Sequence, residues 1–241
     1  VVEIHSDLNS LSTAAARTFA NLASLANDAR GRFNVVLSGG STPRRTYELL
    51  AQPPFRDQIA WSNVHVFWSD ERCVPLDDPR SNYRMACEAL LDHVPIPSNQ
   101  IHPIPFCDDA KQSAKTYEST LKAFFGADLP RFDLVFLGLG ENGHTASLFP
   151  DTPVLTSKGS WVESVYVAEQ DIFRVTMTAG LLNQAASVVF LVQGATKAVV
   201  LRDVIEGEQN PARLPAQLIR PENGDLRWFV DQAAAKLLSL I

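Results

Sequence analysis

Residues 132–150, Phe-Asp-Leu-Val-Phe-Leu-Gly-Leu-Gly-Glu-Asn-Gly-His-Thr-Ala-Ser-Leu-Phe-Pro, constrain the fold of this chain more than any other stretch. The opening run is almost continuously apolar rather than alternating, as a strand covered on both faces requires. Gly138, Gly140 and Gly143 then allow tight turns and close backbone approach, and His144 follows the last of them. A buried parallel strand delivers its loop to the carboxyl edge of an open α/β sheet, where ligands usually bind. A histidine there can titrate near neutral pH and move a proton.

Similar apolar runs recur at residues 33–37, 64–68, 187–192 and 226–230, with further strands expected at 1–4, 161–168 and 173–177. Helical patterns lie between them, at 7–29, 44–51, 81–91, 109–125, 178–184, 195–205 and 231–240. Gly31 sits where a helix C-cap belongs, Thr42 reads as an N-cap, and Pro43 suits a first helical turn. Residues 95–105 hold four prolines and read as a connector, with His93 and His102 beside it as packing or surface histidines. Strands alternating with helices predict an α/β fold, a mostly parallel sheet with helices on both faces. With 241 residues and no internal repeat or linker, a single domain over 1–241 is expected, with room for a small appended lobe.

The net charge of −6 argues against broad binding to nucleic acid or an anionic membrane, though a few local cations can still dominate one cleft. Three cysteines without metal-ligand spacing suggest neither a metal centre nor a disulfide framework. No apolar run is long enough to span a bilayer and no signal-peptide pattern is seen, so a cytoplasmic protein is expected.

Several segments carry chemistry. After the strand at 33–37, Gly39, Gly40, Ser41 and Thr42 lead into a helix, a plausible phosphate cradle of backbone N–H groups and helix dipole. The pattern is neither a Walker A loop nor a GxGxxG fingerprint, so ATP and NAD are not indicated. Asp70-Glu71-Arg72 at the end of the third strand reads either as a solvated turn or as recognition. In the second case Arg72 supplies a planar cation, and Asp70 accepts hydrogen bonds or orients a neighbour. Asn82 and Arg84 either face a site or hold a loop. Arg174 should point to the opposite strand face from Phe173 and Val175. Lys197 falls in a first helical turn, where a cation opposes the dipole and a bound anion would relieve the conflict.

In order, residues 38–43, 68–72, 81–83, 138–150, 174–178 and 194–198 resemble the motifs of 6-phosphogluconolactonases, over roughly residues 33–205. The resemblance implies a three-layer, Rossmann-like α/β sandwich with a mostly parallel central sheet, similar to glucosamine-6-phosphate deaminases. It implies hydrolysis of 6-phospho-D-glucono-1,5-lactone in the oxidative pentose phosphate pathway, with no metal or organic cofactor. The expected partner is that small sugar-phosphate lactone, and the expected assembly a monomer or weak homo-oligomer. His144 is then the general base. Gly39, Gly40, Ser41, Thr42, Asp70, Arg72, Asn142, Gly143, Arg174 and Lys197 are the expected substrate-binding residues, with backbone N–H groups around Asn142 and Gly143 at the oxyanion.

One position departs from the family pattern: residue 142 is Asn where the family more often has Asp. An amide can orient a ring but cannot raise its pKa as a carboxylate does; Asp70 or Glu141 would have to compensate. Two rival readings follow. Amino-sugar-phosphate isomerase/deaminases carry an acidic residue where Asn142 stands and a glutamate where Phe149 stands. A non-catalytic sugar-phosphate sensor would keep the cradle but would not need His144.

Overall fold

The computed structural model describes residues 1–126 and 130–239. Chain order is β1 (Val2–His5), α1 (Leu8–Arg30), β2 (Phe33–Leu37), α2 (Ser41–Leu50), α3 (Phe55–Gln58), β3 (Val64–Trp68), β4 (Asp70–Arg72), α4 (Asn82–Ala89) and α5 (Ala110–Phe125). Then come β5 (Leu134–Gly138), β6 (Val162–Val167), β7 (Ile172–Met177), α6 (Ala179–Leu182), β8 (Ser187–Val192), α7 (Ala198–Ile205), β9 (Asp225–Asp231) and α8 (Gln232–Ala235).

Six strands form one parallel sheet in the order β1-β9-β8-β5-β2-β3. Every residue of β2 and β8 is buried, which requires cover on both faces and explains why these strands read as apolar runs broken only by Asn34 and Ser187. α1 and α2 pack together and against strands β9, β8 and β5, while α7 packs on α8. Phe19 of α1 carries the helix into the core, its ring 5.1 Å from Phe33 and 5.9 Å from Trp61.

The remaining strands form a separate antiparallel sheet, β4-β7-β6, with α5 against it. The chain passes between the sheets at Ser69. Its N–H donates to Leu37 O of the large sheet (2.9 Å), and its carbonyl accepts from Met177 N of the small one (2.8 Å). The charged triplet 70–72 is therefore a short strand with Asp70 and Glu71 buried, not a solvated turn.

Two buried phenols hold the strand ends from which the site loops depart. Tyr47 OH donates to Ser38 O (2.9 Å) and accepts from Ser38 N (3.0 Å); Tyr117 OH does the same for Trp68 at 3.2 and 3.0 Å. Burial pushes both phenols well above their ordinary pKa.

Several helix ends differ from the sequence reading, among them those expected at 81–91 and 178–184, which shorten to Asn82–Ala89 and Ala179–Leu182. α2 begins at Ser41 with Gly40 as its N-cap, because φ of 108° at Gly40 is a conformation that suits glycine, so Thr42 lies inside the first turn. The helix expected at 195–205 opens as a 3₁₀ turn, Ala195–Lys197, before α7. The closing helix is only the four residues of α8, and Leu240 lies outside the described residues.

Candidate active site

A cleft of about 360 Å³ opens at the carboxyl edge of the parallel sheet. It lies where the connection leaving β2 runs to β3 and the one leaving β5 runs on toward β8, the crevice that open α/β sheets offer to ligands. Gly39, Gly40, Ser41 and Thr42 line it after β2, Asp70 and Arg72 from β4, His144 after β5, Arg174 from β7 and Lys197 after β8. Residues from five distant segments thus meet on one surface. α2 has no side-chain cap, so its first N–H groups are left for a ligand or water.

The His144 ring is held from several sides. A Cβ added to Gly140 would lie 2.0 Å from His144 Nδ1, so only glycine lets the ring sit there. Asn142 Oδ1 accepts from the His144 backbone N–H (3.2 Å) and lies 2.6 Å from Nδ1. A backbone N–H can only donate, so the atom between them is the amide oxygen and Nδ1 must carry a hydrogen. In the neutral ring the lone pair is then on Nε2. Phe149 stacks under the imidazole at 4.2 Å and 25°. Burial holds the His144 pKa at about 4; Asp70 pulls it up, and Arg174, Lys197 and Arg72 push it down.

Asn142 is exposed beside this ring and Gly143 is buried in the turn before it, and the residues lining the cleft do not include either. Gly143 has φ of 80°, and a Cβ there would meet Leu214 Cδ2 at 2.7 Å. Its N–H donates to Gly140 O (3.1 Å), so it closes the turn and is not free to stabilise an oxyanion. Leu214 comes from the loop before residue 215, which buttresses the histidine loop.

Asp70 and Arg174 form a buried pair from the small sheet. Asp70 Oδ2 accepts from Ser147 Oγ (2.6 Å) and from Arg174 Nη1 (3.5 Å). Arg174 also donates through Nη2 to Gln170 and lies 5.5 Å over the Phe149 ring, so Phe149 carries His144 and Arg174 together. Arg72 Nη1 donates to Arg80 O (2.6 Å), which fixes the guanidinium at the cleft. Lys197 Nζ lies 3.9 Å from Glu141 Oε1, and burial lowers its pKa.

The sequence matches the profile of the glucosamine-6-phosphate isomerases/6-phosphogluconolactonase family over residues 6–228. The chain belongs to this family. It is 46% identical over 213 residues to the 6-phosphogluconolactonase of Synechocystis sp., covering 87% of this chain and 86% of that one. It is 37% identical over 205 residues to the 6-phosphogluconolactonase of Haemophilus influenzae, covering 85% and 87%. The solved 6-phosphogluconolactonase of Trypanosoma brucei superposes with a TM-score of 0.87 at 28% identity, over 99% of this chain and 98% of that one. A monomeric glucosamine-6-phosphate deaminase shares the fold, with a TM-score of 0.84 at 22% identity over 98% and 99%. The three-layer, Rossmann-like α/β class is the fold of this family member.

Within this 6-phosphogluconolactonase/isomerase family member, the residues around His144 lack the carboxylates of a deaminase. Position 149 is an aromatic ring under the imidazole and position 142 an amide on it, and neither can take up a proton at neutral pH. Gln170 and Asn82 also line the cleft, outside the expected substrate-binding set. Gln170 sits at the exposed tip between β6 and β7, with nothing local to mark it. For Asn82 the sequence leaves two readings, facing a site or holding a loop; the structure buries it against Asp70 and on the cleft wall.

Proposed function

We propose that this cleft hydrolyses 6-phospho-D-glucono-1,5-lactone to 6-phospho-D-gluconate, with His144 as the general base. The observation that carries the base assignment is the locked ring: Nδ1 is engaged by Asn142, so Nε2 is the nitrogen left to act on the cleft side. Water attacks C1 of the lactone and gives a proton to Nε2; the tetrahedral intermediate then expels the ring oxygen, which takes that proton back from the imidazolium. One group serves both steps and leaves the enzyme unchanged. General base catalysis of this kind supplies about 10²–10⁴-fold.

The substrate phosphate is anchored by Arg72, Lys197 and the Gly39–Thr42 backbone, which fixes C1 against His144 with binding energy realised far from the reacting bond. Asp70 holds Arg174 in place beside the ring shared with His144. The phosphate also tunes the base. Burial is the first cause of the low His144 pKa, and Arg174, Lys197 and Arg72 depress it further, so an anion that neutralises these cations raises it from that low value once the substrate is bound.

This reading places the protein in the oxidative pentose phosphate pathway of the cytoplasm. Its test is hydrolysis of freshly generated lactone, corrected for spontaneous opening, by wild type and His144→Ala. Rapid wild-type turnover that collapses in the folded variant supports it. Equal turnover in both removes the role of His144, and an inactive wild type that still binds sugar phosphates points to a sensor.

A further inference from the structure

Asn82 links three parts of the cleft. Its side chain is buried, and its Nδ2 donates to Asp70 O at 2.9 Å, with Asp70 Oδ1 at 3.4 Å. Both of those atoms are acceptors, so the amide nitrogen must face them and Oδ1 must face away. That oxygen lies against Gly39: a Cβ there would be 1.9 Å from Asn82 Oδ1, so the glycine loop leaves room for this atom. Among the described residues, no protein donor reaches Asn82 Oδ1, yet it is not among the sealed, unpartnered side-chain atoms, and the residue lines the cleft.

The position is firmly built. Glu71, itself buried, accepts from Asn82 N (2.7 Å), Tyr83 N (2.8 Å), Ser81 Oγ (2.9 Å) and Arg72 N (2.8 Å). A carboxylate at the start of α4 satisfies N–H groups that have no partner within the helix. The same carboxylate ties Arg72 and Asn82 to one anchor. Such rigidity suits an acceptor oxygen held ready for a ligand rather than a surface amide free to turn.

We propose that Asn82 Oδ1 is a specificity-determining acceptor for one secondary hydroxyl of the sugar-lactone substrate, while its Nδ2 fixes Asp70. The inference rests on the lactonase reading and extends it from the phosphate and C1 to the hydroxyl face of the ring. An acceptor that faces a hydroxyl rejects a substrate lacking it, because the buried oxygen is then left unpaired.

The test compares 6-phosphogluconolactone with its 2-deoxy, 3-deoxy and 4-deoxy analogues in wild type, Asn82→Ala and Asn82→Asp. In wild type, one analogue is expected to lose kcat/KM by about fivefold to tenfold or more. In Asn82→Ala that penalty should shrink to within about twofold, since the acceptor is gone. Asn82→Asp keeps an oxygen toward the cleft and should keep the penalty while its overall kcat/KM falls, because a second carboxylate replaces the donor to Asp70. This isosteric variant also carries the test if the alanine variant does not fold, for loss of the penalty in it overturns the inference. Equal penalties in wild type and a folded Asn82→Ala overturn it as well. A wild type inactive on the parent lactone would instead strike the lactonase reading itself.

Discussion

His144 and His102 have the same depressed pKa, about 4, and burial is the first cause in both. They differ in everything else that matters for chemistry. His102 stacks on Phe67 at 4.6 Å and 13°, and its Nε2 meets His65 Nδ1 at 3.2 Å, so a partner occupies that nitrogen and the ring fills an aromatic cluster. His144 has its Nδ1 occupied and its Nε2 left to a cleft lined by three cations. A perturbed pKa therefore marks burial; it is the unoccupied nitrogen beside a cavity that marks a base. Perturbed groups cluster at functional sites, but structural networks perturb them too.

The sharpest way to break this contrast is to remove each ring. His144→Ala should lower kcat by about 10²–10⁴-fold in a folded protein. His102→Phe, which keeps a ring against Phe67, should leave kcat within about twofold. Steady-state lactone hydrolysis reads both, and comparable losses would erase the distinction.

Next in size is Gly140→Ala. The added carbon has to displace the imidazole, and a misplacement of about 1 Å costs on the order of 10²-fold in kcat. Far-UV circular dichroism should stay unchanged while turnover falls. A smaller loss, about fivefold to tenfold, is expected for Asn142→Ala, which removes the bond to Nδ1. Asn142→Asp sharpens the point by sign rather than size. A carboxylate against Nδ1 favours the imidazolium, so the acid limb of kcat/KM should move to higher pH than in wild type.

The smallest effect concerns stability. His102 and His65 have lowered pKa values in the fold, so the unfolded chain binds more protons as the pH drops below 6.5. The stability these rings contribute is complete above pH 6.5 and declines as the pH falls toward about 4. In His102→Phe the melting temperature should fall less steeply across that window. An unchanged slope would contradict the linkage.

The two sheets differ in how openly the sequence declares them. β2, β3 and β8 coincide with the runs predicted at 33–37, 64–68 and 187–192, because burial in the parallel sheet demands mostly apolar residues. β4 hid behind three charged residues. Glu71 is buried only because Ser81, Asn82 and Tyr83 donate to it, and Asp70 because Ser147 and Arg174 do, and no local pattern announces partners so far along the chain. The site behaves likewise. The glycines, His144 and the cations were legible as residue types at strand ends. That Asn142 bonds the ring, Gly143 closes its turn, and Asn82 and Gln170 line the cleft depends on contacts with His144, Leu214, Gly39 and Arg174.

The most direct measurement is a long-range ¹H–¹⁵N NMR titration of the histidine side chains, with His144→Ala and His102→Phe for assignment. His144 should show a proton on Nδ1 and a bare Nε2 at neutral pH, become protonated near pH 4, and titrate higher when a phosphate-bearing sugar acid fills the cleft. A proton on Nε2 at neutral pH, or a titration indifferent to the bound anion, would contradict a base prepared by Asn142 and tuned by the cations of the cleft.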